Sequence, residues 1–279
     1  MPPVRIALLT TLAMIAFAAN SLLCRLALRH TAIDPASFTA IRLIAGAIVL
    51  WVLARARSER RGSGNWPSAL ALFAYAAGFS LAYVSLSAGT GALLLFGSVQ
   101  ATMIGYGLWR GERLGPAQLL GLLLAAGGIV GLLLPGLAAP PLLGAACMIA
   151  AGIAWGIYSL RGRSGGDPTA VTAGNFVRTV PIAIVLTLAM LPRLHIDTPG
   201  TLYAIASGAL ASGVGYAIWY TALPQLRATI AATVQLSVPV IAALGGVVLL
   251  GEQLTLRLAF ASVAILSGIA LVILRKSSN

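Results

Sequence analysis

Ten side chains in this 279-residue chain are of the kinds that carry acid–base, metal or nucleophile chemistry near neutral pH: His30, His195, Cys24, Cys147 and six carboxylates. Their spacing gives them little to do. Asp34, Asp167 and Asp197 fall between apolar runs, Glu59 sits among arginines, and Glu112 and Glu252 stand where one apolar run gives way to the next. Neither cysteine has a CxxC partner or histidine-rich surroundings, so neither a disulfide framework nor a metal site is indicated. No serine, histidine and aspartate are arranged as a nucleophile with its base, and a membrane enzyme acting on lipids would need such a cluster. The chain is therefore read as no enzyme, with no cofactor.

What the sequence does offer is binding chemistry. Tyr75, Phe79 and Tyr83 recur at spacing four, which places three rings on one helical face at steps of about 6 Å. A tyrosine deep in an apolar segment wants a hydrogen-bond partner, so this stripe is expected to face other helices or water, as a substrate wall or as ordinary packing. Trp155 lies a turn or more inside its segment and is a second wall candidate, whereas Tyr158, next to Arg161, fits an interfacial belt. Trp51, Trp66, Trp109, Tyr203, Trp219 and Tyr220 lie near segment ends and read as headgroup anchors.

Among polar residues inside apolar runs, Asn20, Gln100 and Gln235 are the preferred contacts for the polar groups of a ligand, because an amide in hydrocarbon must be satisfied. Ser237-Val238-Pro239 is expected to break its helix locally and free carbonyls. Two arginines, Arg42 and Arg178, also stand inside apolar runs. Snorkelling to the interface accounts for both; the rival account is that one of them attracts a substrate carboxylate.

These residues are positioned by elements that only a bilayer accommodates. The chain is 59% hydrophobic and 9% charged, against about 25% charged in soluble domains, and its mean hydropathy is +0.96. Ten windows long enough to cross a hydrocarbon core of about 30 Å follow one another, at 5–24, 36–53, 67–86, 89–109, 116–134, 140–160, 170–191, 199–220, 228–250 and 254–274. The fold class is all-α integral membrane protein. The net charge of +12 would suit nucleic acid, but the basic residues lie in short gaps between apolar windows, so nucleic acid is rejected as a partner and the lipid bilayer takes its place.

With an inside amino terminus, Arg5, Arg55, Arg57, Arg60, Arg61, Arg110, Arg113, Arg161, Arg163, Arg227, Arg275 and Lys276 collect on one side, against Arg25, Arg29, Arg193 and Arg257 on the other. That bias places both termini in the cytoplasm of a multi-pass inner-membrane protein. An internal repeat is also present: Gly111-Glu112-x-Leu114 matches Gly251-Glu252-x-Leu254 at an offset of 140 residues, and Phe38 to Arg42 echoes Phe176 to Arg178. Glu112 would cap a helix or pair with Arg110 or Arg113, and Glu252 with Arg257. The halves, 1–135 and 136–279, hold five windows each. An odd number inserts the second copy upside down, the plan by which many carriers build two gates around one site.

A Gly-Glu-[Arg/Gln]-Leu turn once per five-helix half, ten spans and an arginine early in the second helix of each half resemble the drug/metabolite transporter superfamily. Within it the chain is similar to EamA-type carriers, and its aromatic interior to bacterial aromatic amino acid exporters. The resemblance implies two inverted five-helix repeats and export of small amphipathic metabolites, most of all aromatic and other neutral amino acids; the chain is expected to function as a monomer. The multidrug relatives carry a carboxylate in their first helix, where this chain has Met14 and Phe17, so facilitated diffusion is expected ahead of the alternative, proton-coupled efflux of cationic compounds.

Overall fold

The computed structural model describes residues 1–56, 64–111, 113–136, 139–162, 167–226 and 228–276; the positions named above as Arg57, Glu59, Arg60, Arg61, Glu112, Arg163 and Arg227 lie outside the described residues. Every element among the described residues is helical. In the first half these are α1 (Pro3–His30), α2 (Pro35–Ala56), α3 (Trp66–Tyr83), α4 (Ala88–Trp109) and α5 (Pro116–Leu133). In the second they are α6 (Leu142–Arg161), α7 (Pro168–Ala189), α8 (Thr198–Ala206), α9 (Gly215–Ala222), α10 (Ala228–Gln235), α11 (Ser237–Leu250) and α12 (Leu256–Lys276).

The helix starts follow local chemistry. Proline occupies the first turn of α3, α5, α7 and α8, where its missing N–H costs nothing. Asn65, Ser87, Asp167 and Asp197 accept from the backbone N–H three residues on, as N-caps do.

Nine helices among the described residues are long and apolar enough to cross a membrane. The segment Trp66–Tyr83 is not one of them, since a tryptophan, a proline, two serines and two tyrosines dilute its apolar content. The serines and tyrosines among them are sheltered, because α3 packs against α6, α7 and α2, whereas Trp66 at its start is exposed.

Two spans are interrupted. Leu236 separates α10 from α11, as the Ser-Val-Pro run leads one to expect, and the Ser237 hydroxyl donates to the Val234 carbonyl at 2.6 Å. The second interruption has no proline: α8 continues into α9 through a π-helical stretch, Ser207–Val214, rich in Ser, Gly and Ala. Such stretches are widened turns that recur at functional sites.

The two copies of the repeated turn behave alike. Gly111 (φ +90°) and Gly251 (φ +63°) end α4 and α11 in the left-handed region, which favours glycine. The last helices of the halves, α5 and α12, pack together so closely that a Cβ on Gly121 would lie 2.5 Å from the Gly268 carbonyl oxygen, and one on Gly268 2.5 Å from that of Gly121.

Loops of the two halves are stitched together at one end of the bundle. The Asp34 N–H donates to the His195 carbonyl and the His195 N–H to the Asp34 carboxylate, both at 2.9 Å, while the Ala32 N–H donates to Asp197 at 3.2 Å. Asp34 also accepts from the Ala36 and Ser37 amides and the Ser37 hydroxyl. Burial alone would raise its pKa, but the Ser37 hydroxyl and the His195, Ser37 and Ala36 amides outweigh burial and hold it below the ordinary 3.8.

Asp34→Ala removes both a cap and this stitch, and is expected to cost about 1–2 kcal/mol, read as a lower melting temperature of the purified protein. Because the folded-state pKa is depressed, the carboxylate's contribution is complete above the ordinary value and fades only as pH falls through the lowered one. The wild-type-minus-variant difference is therefore constant from pH 6 to 8 and shrinks only in strong acid.

Candidate functional site

Helices α1, α3, α4, α6, α7, α9 and α10 and the π-helical stretch enclose a cavity of about 510 Å³, within the range that holds small-molecule ligands. At its centre four rings meet, Phe17 of α1, Tyr75 of α3, Trp155 of α6 and Tyr216 of α9. Tyr75 lies 4.7 Å from Trp155 between ring centroids, Trp155 stacks on Tyr216 at 5.5 Å with an 18° interplanar angle, and Phe17 lies 5.6 Å from Tyr216. Phe79, Phe96, Tyr158, Trp219 and Tyr220 extend the aromatic lining. The polar lining among the described residues comprises Asn20, Ser21, Gln100, Ser159, Thr172, Asn175 and Gln235, with no ionisable side chain other than tyrosine among them.

The aromatic walls obey the repeat. Phe17 and Trp155 are 138 positions apart, and Tyr75 and Tyr216, like Phe79 and Tyr220, are 141 apart. The matched rings thus come one from the first span and two from the third span of each half, while Phe96, Tyr158 and Trp219 have no aromatic counterpart at the offset of their own span.

The two ends of the cavity differ. At one it reaches Gly162 and Pro168, both exposed, at the end of α6 and the start of α7. Toward the other, Phe79 and Ser21 form its floor, and beneath them the bundle is sealed. Tyr83, fully buried, packs edge-on to Phe79 at 4.7 Å and donates its hydroxyl to the Ala88 carbonyl at 3.3 Å.

Below Tyr83 lies a buried ion pair. Arg25 Nε approaches Glu252 Oε1 at 3.1 Å, and Arg25 Nη1 donates to the Tyr83 and Val84 carbonyls at 2.9 and 3.1 Å. Glu252 Oε2 accepts the Ala88 N–H at the start of α4, at 2.8 Å. The pair therefore ties α1, the α3–α4 turn and the α11–α12 turn, across the two halves. A buried pair stabilises only when its remaining donors and acceptors are satisfied, and three further hydrogen bonds serve them here.

The residues singled out from sequence divide accordingly. Asn20, Tyr75, Phe79, Gln100, Trp155 and Gln235 all line the cavity. Tyr83 does not, since one turn beyond Phe79 its ring is already in the seal. Arg42 stands behind the wall with its guanidinium 5.3 Å from the Tyr75 ring centre and 4.8 Å from that of Phe79, 2% exposed. Arg178 does not reach the cavity; its Nη1 donates to the Gly174 carbonyl of its own helix. Gln235 donates to the Ala231 carbonyl one turn back in α10.

Three readings are corrected. Glu252 pairs with Arg25, not Arg257, because α1 runs on to His30 and carries Arg25 into the bundle; Arg257 instead donates to the Leu134 carbonyl. Tyr158 is buried in the cavity wall, accepting from Asn175 Nδ2 at 3.4 Å, and is no interfacial anchor. Trp219 and Tyr220 line the cavity too. Nearness to a span end does not separate an anchor from the wall of a cavity that opens at that end; for Tyr220 the repeat offset to Phe79 was a signal that does.

The model of the EamA-like transporter family matches the chain twice, at residues 4–134 and 142–274. The chain belongs to the EamA-like transporter family, within the drug/metabolite transporter superfamily. This EamA protein is 60% identical over 275 residues to the uncharacterised protein PA1977 of Pseudomonas aeruginosa, covering 98% of this chain and 96% of that one. It shares its fold with a protein of known crystal structure at a TM-score of 0.67 and 21% identity, covering 98% of this chain and 99% of the other.

Cys24, fully buried, lies on α1 between the cavity residue Ser21 and the paired Arg25. Glu252→Gln, which removes the charge but keeps the shape, is expected to loosen the seal. In a Cys147→Ser background, alkylation of Cys24 by a polar maleimide should become severalfold faster than with the ion pair intact.

Proposed function

We propose that this EamA protein is an alternating-access carrier for small aromatic metabolites that are neutral or zwitterionic, aromatic amino acids above all, and that it exports them across the inner membrane by facilitated diffusion. The observation that carries this reading is the aromatic cavity, lined among the described residues by no ionisable group but tyrosine and closed at one end by an ion pair joining the two halves. Stacked and tilted rings provide dispersion for an apolar side chain, while Asn20, Gln100 and Gln235 offer amide donors and acceptors to its polar groups. No bond is made or broken, and the reading includes no enzymatic step.

Ten crossings, counting α3, in two oppositely inserted five-helix halves give the cavity its two gates. Support comes from the paired glycines of α5 and α12, the matched turns at Gly111 and Gly251 and the offset of the wall aromatics. The excess of arginine at the Gly162 end supports a cytoplasmic placing of that end and of both termini, in which the carrier rests open inward with its outer gate shut. The carrier works as a monomer.

Proton-coupled efflux of cationic drugs is disfavoured. Among the described residues no carboxylate lines the cavity to carry a proton or attract a cation, and Arg42 puts a positive charge directly behind it.

In liposomes holding the purified protein, labelled phenylalanine or tryptophan should equilibrate at a rate unchanged by imposed proton or sodium gradients; strict dependence on a proton gradient would overturn the facilitator. Trp155→Ala removes a ring that touches Tyr75 and Tyr216. It should lower aromatic flux about tenfold, as the loss of a buried aromatic contact does, while the protein still elutes as a single species.

A further inference from the structure

The Arg42 guanidinium is the structure's most costly unused group. It is 2% exposed, no carboxylate pairs with it among the described residues, and its Nε and Nη1 have no hydrogen-bond partner. A buried charge without a partner is strongly unfavourable, and an ionisable group within a membrane span marks function. Its one hydrogen bond runs from Nη2 to the Tyr75 hydroxyl oxygen, at 3.1 Å.

Tyr75 makes this bond informative. Its oxygen also accepts from Asn20 Nδ2 at 3.2 Å, and Asn20 is itself fixed by the Ser207 hydroxyl, which donates to Asn20 Oδ1 at 2.6 Å. Both partners of the Tyr75 oxygen are donors, so its two lone pairs are used. The phenolic proton finds no acceptor among the described residues, and the ring that carries it lines the cavity. A hydroxyl polarised by a cation on one side and an amide on the other is a strengthened donor on its free side.

We propose that the Tyr75 hydroxyl is the anchor for the carboxylate of the transported molecule, with Arg42 and Asn20 as positioning residues that act through it. The inference rests on the carrier reading above and narrows its substrate class to carboxylate-bearing aromatics. The ligand's ring then lies against Trp155 and Tyr216, beside the anchor. Arg42 supplies the counter-charge without entering the cavity, which explains a guanidinium that is buried, uncompensated and absent from the lining.

The arrangement also links the ligand to moving parts. Asn20 belongs to α1, Arg42 to α2, Tyr75 to α3, and Ser207 opens the π-helical stretch. That stretch lies so close to α2 that a Cβ on Gly208 would sit 2.1 Å from the Arg42 carbonyl oxygen. An anion at Tyr75 therefore reaches elements of both halves through four side chains. Arg178, at the matching place in the second half, bonds its own helix and duplicates none of this.

The test compares two probes of one shape, 3-phenylpropionate and its neutral amide, binding to the full-length protein in lipid nanodiscs at pH 7.5, by calorimetry. Wild type should bind the acid about tenfold more tightly than the amide, the worth of one charge-assisted hydrogen bond. Tyr75→Phe, which keeps the ring, and Arg42→Gln should bring the two affinities to within about twofold of each other, chiefly by weakening binding of the acid. Arg42→Lys, which keeps the charge, should restore part of the preference. Equal affinities in wild type, or an undiminished preference in Tyr75→Phe, overturn the anchor but leave the aromatic cavity standing. Binding of neither probe by wild type overturns the carrier reading and the anchor together.

Discussion

A polar group inside a bilayer has no water to bond with, so each one must be satisfied within the protein. This constraint decides where everything else in the molecule goes. The helix faces turned outward carry large apolar side chains such as Leu143, Val248 and Phe260, which lipid solvates. The side chains that cannot face lipid are gathered inward: Asn20, Tyr75 and Ser207 bond one another, Thr39 bonds Ser80, and Asn175 bonds Tyr158. The cavity is where the inward-turned groups leave space between them. Its aromatic and amide lining is thus a product of the same sorting that makes the chain a membrane protein.

Within that interior the charged groups mark the functional asymmetry. Arg25 and Glu252 satisfy each other and the turns around them, forming a seal that links the halves at one end. Arg42 makes its one hydrogen bond among the described residues to Tyr75, lies over the Phe79 ring, and holds its positive charge behind the cavity wall. In the proposed alternating access, opening the sealed end would separate Arg25 from Glu252 and expose both to water, where hydration replaces their mutual attraction. Such a pair costs little to break when water enters and holds firmly while it is excluded, a useful property in a gate.

Much of this was legible in the sequence, and the remainder was hidden for definable reasons. Hydropathy located the helices because the bilayer thickness fixes their length, and Ser237-Val238-Pro239 marked the broken helix because proline removes a bond. The π-helical stretch at Ser207–Val214 left no such mark; small residues permit it, and packing against α2 produces it. Arg25 was assigned to a loop because α1 was cut short at Cys24, and with it the true partner of Glu252 was lost. Trp219 and Tyr220 were read as anchors from their nearness to a span end. For Tyr220 the repeat is the better guide, since it matches Phe79 as Tyr216 matches Tyr75; Trp219 matches Gly78 at that offset, and only the packing places it.

The central claim is that one cavity is reached from two ends in turn. Pulsed electron resonance measures it directly, with spin labels on Gly162 and Gln225 beside the mouth and, in a second protein, on Ser85 and Gln253 beside the Arg25–Glu252 seal. Adding an aromatic amino acid should shorten the first distance as the second lengthens. Distances that stay fixed, or that grow together, would contradict alternating access around this cavity.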